Sequence, residues 1–441
     1  MFSPPNMLDK ILVPLAALIL ILIPFHALLT VWLSGALGHY TALRLWKEAI
    51  LLILVVKILW VERAQLKRLP RADILWKLIA AYIALVLVSG LLAYAFHGAS
   101  LKAFAYGLVI DTRFLVSFAV VWYLSAHSSW LYTHWKQLLL IPAAIVVVFG
   151  LLQLTVLPHD FLKHFNYGPH TIPVTATVDQ KTAYARIGAT LRGANPLGAY
   201  LVIIITALVA LILRKARLAV AAGCLLAVLI VLLFTYSRSA WIGAMVSVGL
   251  LIWWSVRSPR TRRILIITGV TLVIIAAGLV IALRHNTEVE NTVFHTDSHS
   301  GSSASSNAGH AAAIKGGLHD MVHKPLGSGT GTAGPASTYN NHPARIAENY
   351  FIQVGQETGW LGLVLFMAIL VRVGQLLWAR RGDNTLSIVL LASLIGLTAV
   401  NMLSHAWADD TLAYVWWGFA GIALGVSIQA TKPHAKSKEM H

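Results

Sequence analysis

Long unbroken apolar runs alternate along the chain with short polar connectors, and the runs set the architecture. They fall at about 11–35, 45–61, 73–96, 101–125, 136–157, 195–213, 217–235, 239–256, 263–283, 356–379, 385–403 and 410–429. Most have the length at which a helix crosses roughly 30 Å of hydrocarbon, whereas a barrel strand would be about half as long and strictly alternating. The pattern predicts an all-α, polytopic membrane protein with about twelve transmembrane helices, a single integral membrane domain over residues 1–441. Residues 10–36 have the outline of a secretory signal, but the run is long, lacks a small-residue cleavage site and is followed by further spans. It is expected to be retained.

Composition agrees: 58% of residues are hydrophobic and 12% charged, too little polar surface for a soluble domain. A net charge of +17 often points to nucleic acid, but here the cations gather in alternate connectors. These carry Arg63, Lys67, Arg68 and Arg71; Arg214, Lys215 and Arg217; Arg257, Arg260, Arg262 and Arg263; Arg380 and Arg381; and, in the 430–441 tail, Lys432, Lys436 and Lys438. The positive-inside rule places them, and both termini, in the cytoplasm, so topology explains the charge and no nucleic-acid partner is expected. The connector after the fourth span has only Lys136 and histidines as basic groups. The loops 158–194 and 284–348, the second lying between spans nine and ten, then face the periplasm or the exterior of a bacterium. A single cysteine, Cys224, leaves no intramolecular disulfide or multi-cysteine metal site. No internal repeat stands out, which weakens a transporter reading built on inverted repeats.

Loop 158–194 mixes aromatic, Pro and β-branched residues and is expected to pack as an ordered cap. Loop 284–348 carries seven histidines and opens on a Ser-, Gly- and Ala-rich stretch expected to be a mobile surface segment. His285, His295, His299 and His310 read as part of that linker; His319, His323 and His342 are harder to dismiss. Three elements on this face carry candidate chemistry. In RIGATLRGANPLGAYL, Arg186 and Arg192 precede the sixth span and Asn195 opens it, with Pro196 suited to the first turn; guanidinium forks beside a helix N-terminus favour phosphate oxygens, and lipid-headgroup anchoring is the plainer alternative. In FTYSRSAWIGA, Arg238 breaks the positive-inside pattern; it marks a functional site or else snorkels as a cap on the preceding helix. At the end of the large loop stand Lys324, His342, Arg345, Glu348, Asn349 and Tyr350. Glu348 is suited to serve as general base, with His342 its competitor. No HExxH-type pair is present, so no metal site is expected. Within the spans, Glu48, Asp111 and Arg113 are expected to pair across helices or to line a route, while His405, Asp409 and Asp410 form an outer turn at the mouth of the site or a solvated connector.

Three motifs in order resemble the O-antigen ligase family, membrane glycan ligases and polymerases of bacteria. RIGATLRGANPLGAYL is similar to the family's Arg-containing segment ending in Asn before a helix, TYSRSAWIG to its Ser-Arg turn, and ENYFIQVGQETGWLGL to a His-Asn pair followed after nine residues by GxxG. The chain departs from that pattern at Glu348, where many ligases have His. The likeness covers mainly residues 186–245 and 324–366. It implies a GT-C-like membrane glycosyltransferase of the bacterial inner membrane, with its active site on the periplasmic side and no cofactor. The donor would be an undecaprenyl-pyrophosphate-linked glycan whose pyrophosphate is held by Arg186, Arg192 and Arg238. Glu348 or His342 would activate a hydroxyl of a lipid A–core acceptor, in a metal-independent displacement with inversion, supported by Asn195, Asn349, Tyr350, Arg345 and Lys324. A polymerase extending a lipid-linked glycan is the nearest alternative. A lipid or polysaccharide transporter is a third.

Overall fold

Each apolar run forms helix over most of its length in the computed structural model, which describes residues 8–61, 73–96, 98–178, 181–215, 217–284, 286, 289 and 306–426. The connector 62–72, His285, His295, His299 and the basic tail 430–441 lie outside the described residues. The first run is two helices, Val13–Leu22 (α1) and His26–Leu37 (α2), joined through a tight turn at Pro24. Then follow Trp46–Val61 (α3), Ile74–Phe96 (α4), Leu101–His127 (α5) and Trp135–Thr155 (α6). After the first outer loop come Ala194–Leu213 (α7), Leu218–Leu233 (α8), Arg238–Ser255 (α9) and Pro259–Ala282 (α10). Beyond them lie Ser306–His323 (α11), Tyr350–Arg380 (α12), Thr385–Leu403 (α13) and Asp410–Gly425 (α14). Among the described residues seven helices are long and apolar enough to cross a membrane: Lys10–Leu37, Ile74–Phe96, Leu101–His127, Trp135–Thr155, Ala194–Leu213, Tyr350–Arg380 and Thr385–Leu403. The protein is a polytopic, helical membrane protein. A short antiparallel hairpin, Ala176–Val178 (β1) with Lys181–Arg186 (β2), pairs Ala176 with Arg186 inside the first outer loop.

Burial sorts the helices. Most residues of α7 and nearly all of α14 are buried, while α4 and α10 leave Val88, Leu91, Leu272 and Ile274 exposed, as helices facing lipid do. Without a hydrophobic drive between helices in lipid, close backbone approach matters. A Cβ on Gly243 of α9 would lie 2.9 Å from the carbonyl oxygen of Gly396 on α13, so small residues set that contact.

Two elements differ from the sequence reading. The helix α12 starts at Tyr350 rather than near 356 and breaks at Gly359, whose φ of 69° and ψ of −171° belong to glycine alone. The reason is the Gly-rich turn that runs down beside it. Ser328 N–H donates to the Gln356 carbonyl at 2.7 Å, Gly329 N–H to the Glu357 carbonyl at 2.8 Å and Trp360 N–H to the Pro325 carbonyl at 3.0 Å. The buried Glu357 carboxylate accepts from Gly331 N–H at 2.9 Å and Ala333 N–H at 3.3 Å, while Thr330 donates its hydroxyl to the Val86 carbonyl at 2.7 Å. Non-helical backbone at this depth requires such internal partners. The second difference is α11, a helix over residues expected to be mobile; the Ala-rich run NAGHAAAIK favours helix once one face packs, through Met321, on Ile352 and Ala347.

Beneath the outer face, one network of charges joins four helices. Arg113 on α5 pairs with Asp410 at the head of α14, reaches Glu48 of α3 at 3.5 Å and donates to the Ala408 carbonyl at 2.7 Å. Lys47 bridges Glu48 and Asp410, each at 3.1 Å, and His26 of α2 joins Asp410 at 2.9 Å. Pairing of Arg113 across helices is the outcome the sequence suggested. Truncating one partner strands the others in a low dielectric, so Arg113→Ala is expected to lower stability by about 3–5 kcal/mol, read from unfolding of the detergent-solubilised protein. At the kink, a Cβ on residue 359 would stand 2.3 Å from the Pro325 carbonyl oxygen. Gly359→Ala is therefore expected to cost at least about 1–3 kcal/mol in the same measurement, and an unchanged midpoint would contradict this account of the break.

Candidate active site

Two helices open beside one another with no side-chain cap on their first turns. Gly193 leads into α7 in an extended conformation, and Ser237 leads into α9 without capping it. First-turn N–H groups without such caps are ready donors for an anion. The two openings are held together because Gly198 of α7 lets Ser237 and Ala240 approach, a Cβ there falling 2.7 Å from that of Ala240. Arg238 is the first residue of α9. A cation at a helix N-terminus opposes the macrodipole, a cost that a bound anion would offset.

Arg186 leaves the hairpin at β2 and ties these openings to each other. Its Nε donates to the Thr235 carbonyl at 2.8 Å and a terminal nitrogen donates to Asn195 Oδ1 at 2.6 Å. Burial, and then the nearby Arg238 charge, depress its guanidinium to about 10. It stays cationic at neutral pH, and an anion bound beside it would offset the repulsion from Arg238.

Arg192 and Asn195 project from the start of α7 into a cavity of about 360 Å³. Arg44, Tyr106, Tyr339, His405 and Asp409 are among its other lining residues, and Arg44 lies over the Tyr106 ring at 4.5 Å. The turn carrying His405 and Asp409 is fixed from three sides. Trp407 N–H donates to Asn401 Oδ1 at 2.8 Å, Arg113 holds the Ala408 carbonyl, and Asp409 caps α14 by accepting from Thr411 N–H at 2.9 Å. Burial lowers the His405 imidazole, favouring its neutral form. Burial, and then Asp410, push the Asp409 carboxyl up to about 6, so it repels an anion less than an exposed aspartate would in mildly acidic solution.

Glu348 stands beside this turn with φ of 51°, a conformation a glutamate adopts only under constraint. Its carboxylate pairs with His310 of α11 and is in electrostatic reach of His405. Asn349 caps α12 by accepting from Ile352 N–H at 3.1 Å and donates to the Met402 carbonyl at 2.8 Å, so it positions Glu348. Tyr350 is fully buried with its ring against Phe366.

The other candidates from the same loop gather elsewhere. Lys324, His342 and Arg345 line a second cavity of about 630 Å³. Arg345 pairs with Asp320, whose carboxylate also accepts from Gln356 at 2.7 Å. The structure thus groups Arg186, Arg192, Asn195 and Arg238 about the starts of α7 and α9, sets Glu348 beside His310 and near His405, and has His342 line the second cavity rather than the first.

Residues 223–367 match the family model for O-antigen ligase. Over that segment the chain is similar to the O-antigen ligase family. No curated protein matches it. The matched segment contains Arg238, the Gly-rich turn, Glu348 and the kinked first part of α12; it begins after Arg186, Arg192 and Asn195, of which Arg186 bonds the Thr235 carbonyl inside it. The matched segment is thus similar to membrane glycosyltransferases of the ligase and polymerase type.

Within this candidate site, sequence reasoning missed His310, grouped with linker histidines, and Glu357, hidden inside an apolar-looking run. The Ala content around His310 was the one available signal, since it favours helix over linker. The hydrogen bond from His310 is the main influence holding the Glu348 carboxyl below its ordinary 4.5, against a burial that raises it. A depressed acid stabilises the fold above its unfolded value and loses that contribution as pH falls through the folded one. The native protein is therefore expected to be more stable than His310→Ala above pH 4.5, with the difference closing at lower pH; a pH series of thermal midpoints showing a constant gap would rule out the pairing.

Proposed function

We propose that this protein transfers a preassembled glycan from undecaprenyl pyrophosphate to a hydroxyl of a lipid A–core acceptor on the periplasmic face of the inner membrane. What supports the reading is the gathering of Arg186, Arg192 and Arg238 about two helix starts without side-chain caps, with Glu348, paired to His310, in electrostatic reach of the His405 that lines the cavity beside Arg192. The pyrophosphate binds there, with guanidinium forks and backbone N–H groups accepting its charge. Glu348 takes the proton from the acceptor hydroxyl as its oxygen attacks the anomeric carbon. The bond from that carbon to the pyrophosphate oxygen breaks, and its electron pair leaves with the pyrophosphate, which the arginines stabilise as charge develops. Attack opposite the leaving group inverts the anomeric centre. The leaving group needs no metal assistance in this scheme. Of the two base candidates, Glu348 is favoured over His342 because Glu348 is in electrostatic reach of His405, which lines the arginine cavity, whereas His342 lines the second one. His310 holds the carboxylate ionised and oriented, in the place where the family pattern has His.

The test is transfer by purified protein in EDTA, offered donor with lipid A–core or donor alone. Glycan on the lipid core is the expected product, with inversion read by NMR of the new linkage. Arg186→Ala and Arg238→Ala are expected to slow transfer by about 10²–10³-fold. Glu348→Gln should slow it by about 10²–10⁴-fold, with His342→Ala leaving the rate constant largely intact. Ladder growth on donor alone would make the protein a polymerase, and retention at the anomeric carbon would overturn the single displacement.

A further inference from the structure

We infer that the second cavity binds the phosphorylated headgroup of the membrane-borne acceptor, while the arginine cavity holds the donor. The inference rests on the transfer reading above, and adds to it the place of the other substrate. Transfer between two lipid-linked molecules requires two amphiphiles bound at once with their headgroups close together. One wall separates two cavities that meet this need. Pro335, Thr338 and Tyr339 face the arginine cavity, whereas Ser337 and Asn340 of the same segment face the second.

That wall is well tied. Gly334 N–H donates to the Arg345 carbonyl at 2.8 Å, Arg345 N–H to Ser337 Oγ at 3.0 Å, and Asn340 Nδ2 to the Gly331 carbonyl at 2.8 Å. Asn340 Oδ1 in turn accepts from Ser100 N–H at 2.9 Å, which joins the wall to the start of α5. The second cavity, at about 630 Å³, has the size of a small-molecule site. Its charged lining is cationic: Lys324 and Arg345, with His342 beside them. Asp320 is the nearby counter-charge; it is not part of the lining, and its bond to Arg345 fixes the direction of the guanidinium. A lysine supplies a point charge and an oriented arginine supplies a fork, a combination suited to a phosphate monoester.

The lip of the cavity distinguishes an amphiphile from a soluble anion. Leu326, which lines it, is 86% exposed, and Ala99 on the floor lies between Phe96 at 77% and Leu101 at 59%. These apolar side chains stand where the ends of α4 and α5 meet the turn, so an acyl chain can lie along them with its phosphate inside.

The experiment is a binding titration of the full-length protein in a neutral detergent, with lipid A, dephosphorylated lipid A and inorganic phosphate as separate probes. Wild type, Lys324→Gln, Lys324→Gln/His342→Ala and Arg192→Ala are compared, each first shown to keep the wild-type thermal midpoint. Lipid A is expected to bind about tenfold or more weakly to the double variant, and Arg192→Ala to bind it as wild type does, as follows from losing a charge-assisted contact. Dephosphorylated lipid A and inorganic phosphate should each bind far more weakly than lipid A. Equal lipid A affinity in all proteins, or loss with Arg192→Ala alone, would overturn the assignment; phosphate binding as tight as lipid A would overturn the amphiphile. In transfer, Lys324→Gln is expected to raise the acceptor KM by about tenfold with the donor KM unchanged. Absence of transfer by folded wild type would sink the transfer reading, while the titration still decides what the cavity binds.

Discussion

A cation that cannot reach water organises the outer half of this protein. Arg113 is 5% exposed within a helix that crosses the membrane, and an unpaired charge there would cost several kcal/mol. Its partners come from α3, α14 and the turn before α14. Satisfying Arg113 therefore fixes where α14 begins and where the Ala408 carbonyl points. The His405–Asp409 turn follows from that, and with it one wall of the arginine cavity. Lys47 and His26 extend the same demand to α3 and α2, so the first two runs of the chain are tied to the last.

On this frame the candidate site is built from strained and electrostatically opposed parts. Arg186 and Arg238 repel, Arg238 sits against a helix dipole, and Glu348 holds a left-handed backbone conformation. Such costs persist only where the surroundings over-determine them, and an anion held between the two helix starts would offset the first two. The Gly-rich turn supplies the rigidity. Its N–H groups are spent on the Gln356 and Glu357 carbonyls and on the Glu357 carboxylate, which anchors the segment carrying the wall between the two cavities.

Much of the site was legible because its signals are local. Arg186, Arg192 and Asn195 announce themselves by standing at the start of an apolar run, and Arg238 by being basic where its neighbours predict none. Glu348 and Asn349 were visible as polar residues at the mouth of a span. What sequence could not supply was partnership. His310 and Glu348 are 38 residues apart, yet they pair; His342 and Glu348 are six apart, yet His342 lines the second cavity while Glu348 turns to His310. Glu357 escaped notice because a buried carboxylate is unreadable until the backbone donors that satisfy it have been placed.

By itself the sequence determined the helical class, the approximate limits of the membrane runs and the polar connectors between them. Run length against bilayer thickness, and a backbone that must satisfy itself in lipid, are constraints acting within a segment. The tertiary structure alone decided that α12 breaks at Gly359, that a supposed linker folds into α11, and that one loop lines two cavities. Each of these turns on contacts between segments distant in sequence: the Pro325 carbonyl against Gly359, Met321 against Ile352, and Asn340 between Gly331 and Ser100. Such contacts are decided by which packing leaves no buried charge or hydrogen-bonding group without a partner, a condition on the whole assembly that no single stretch of sequence contains.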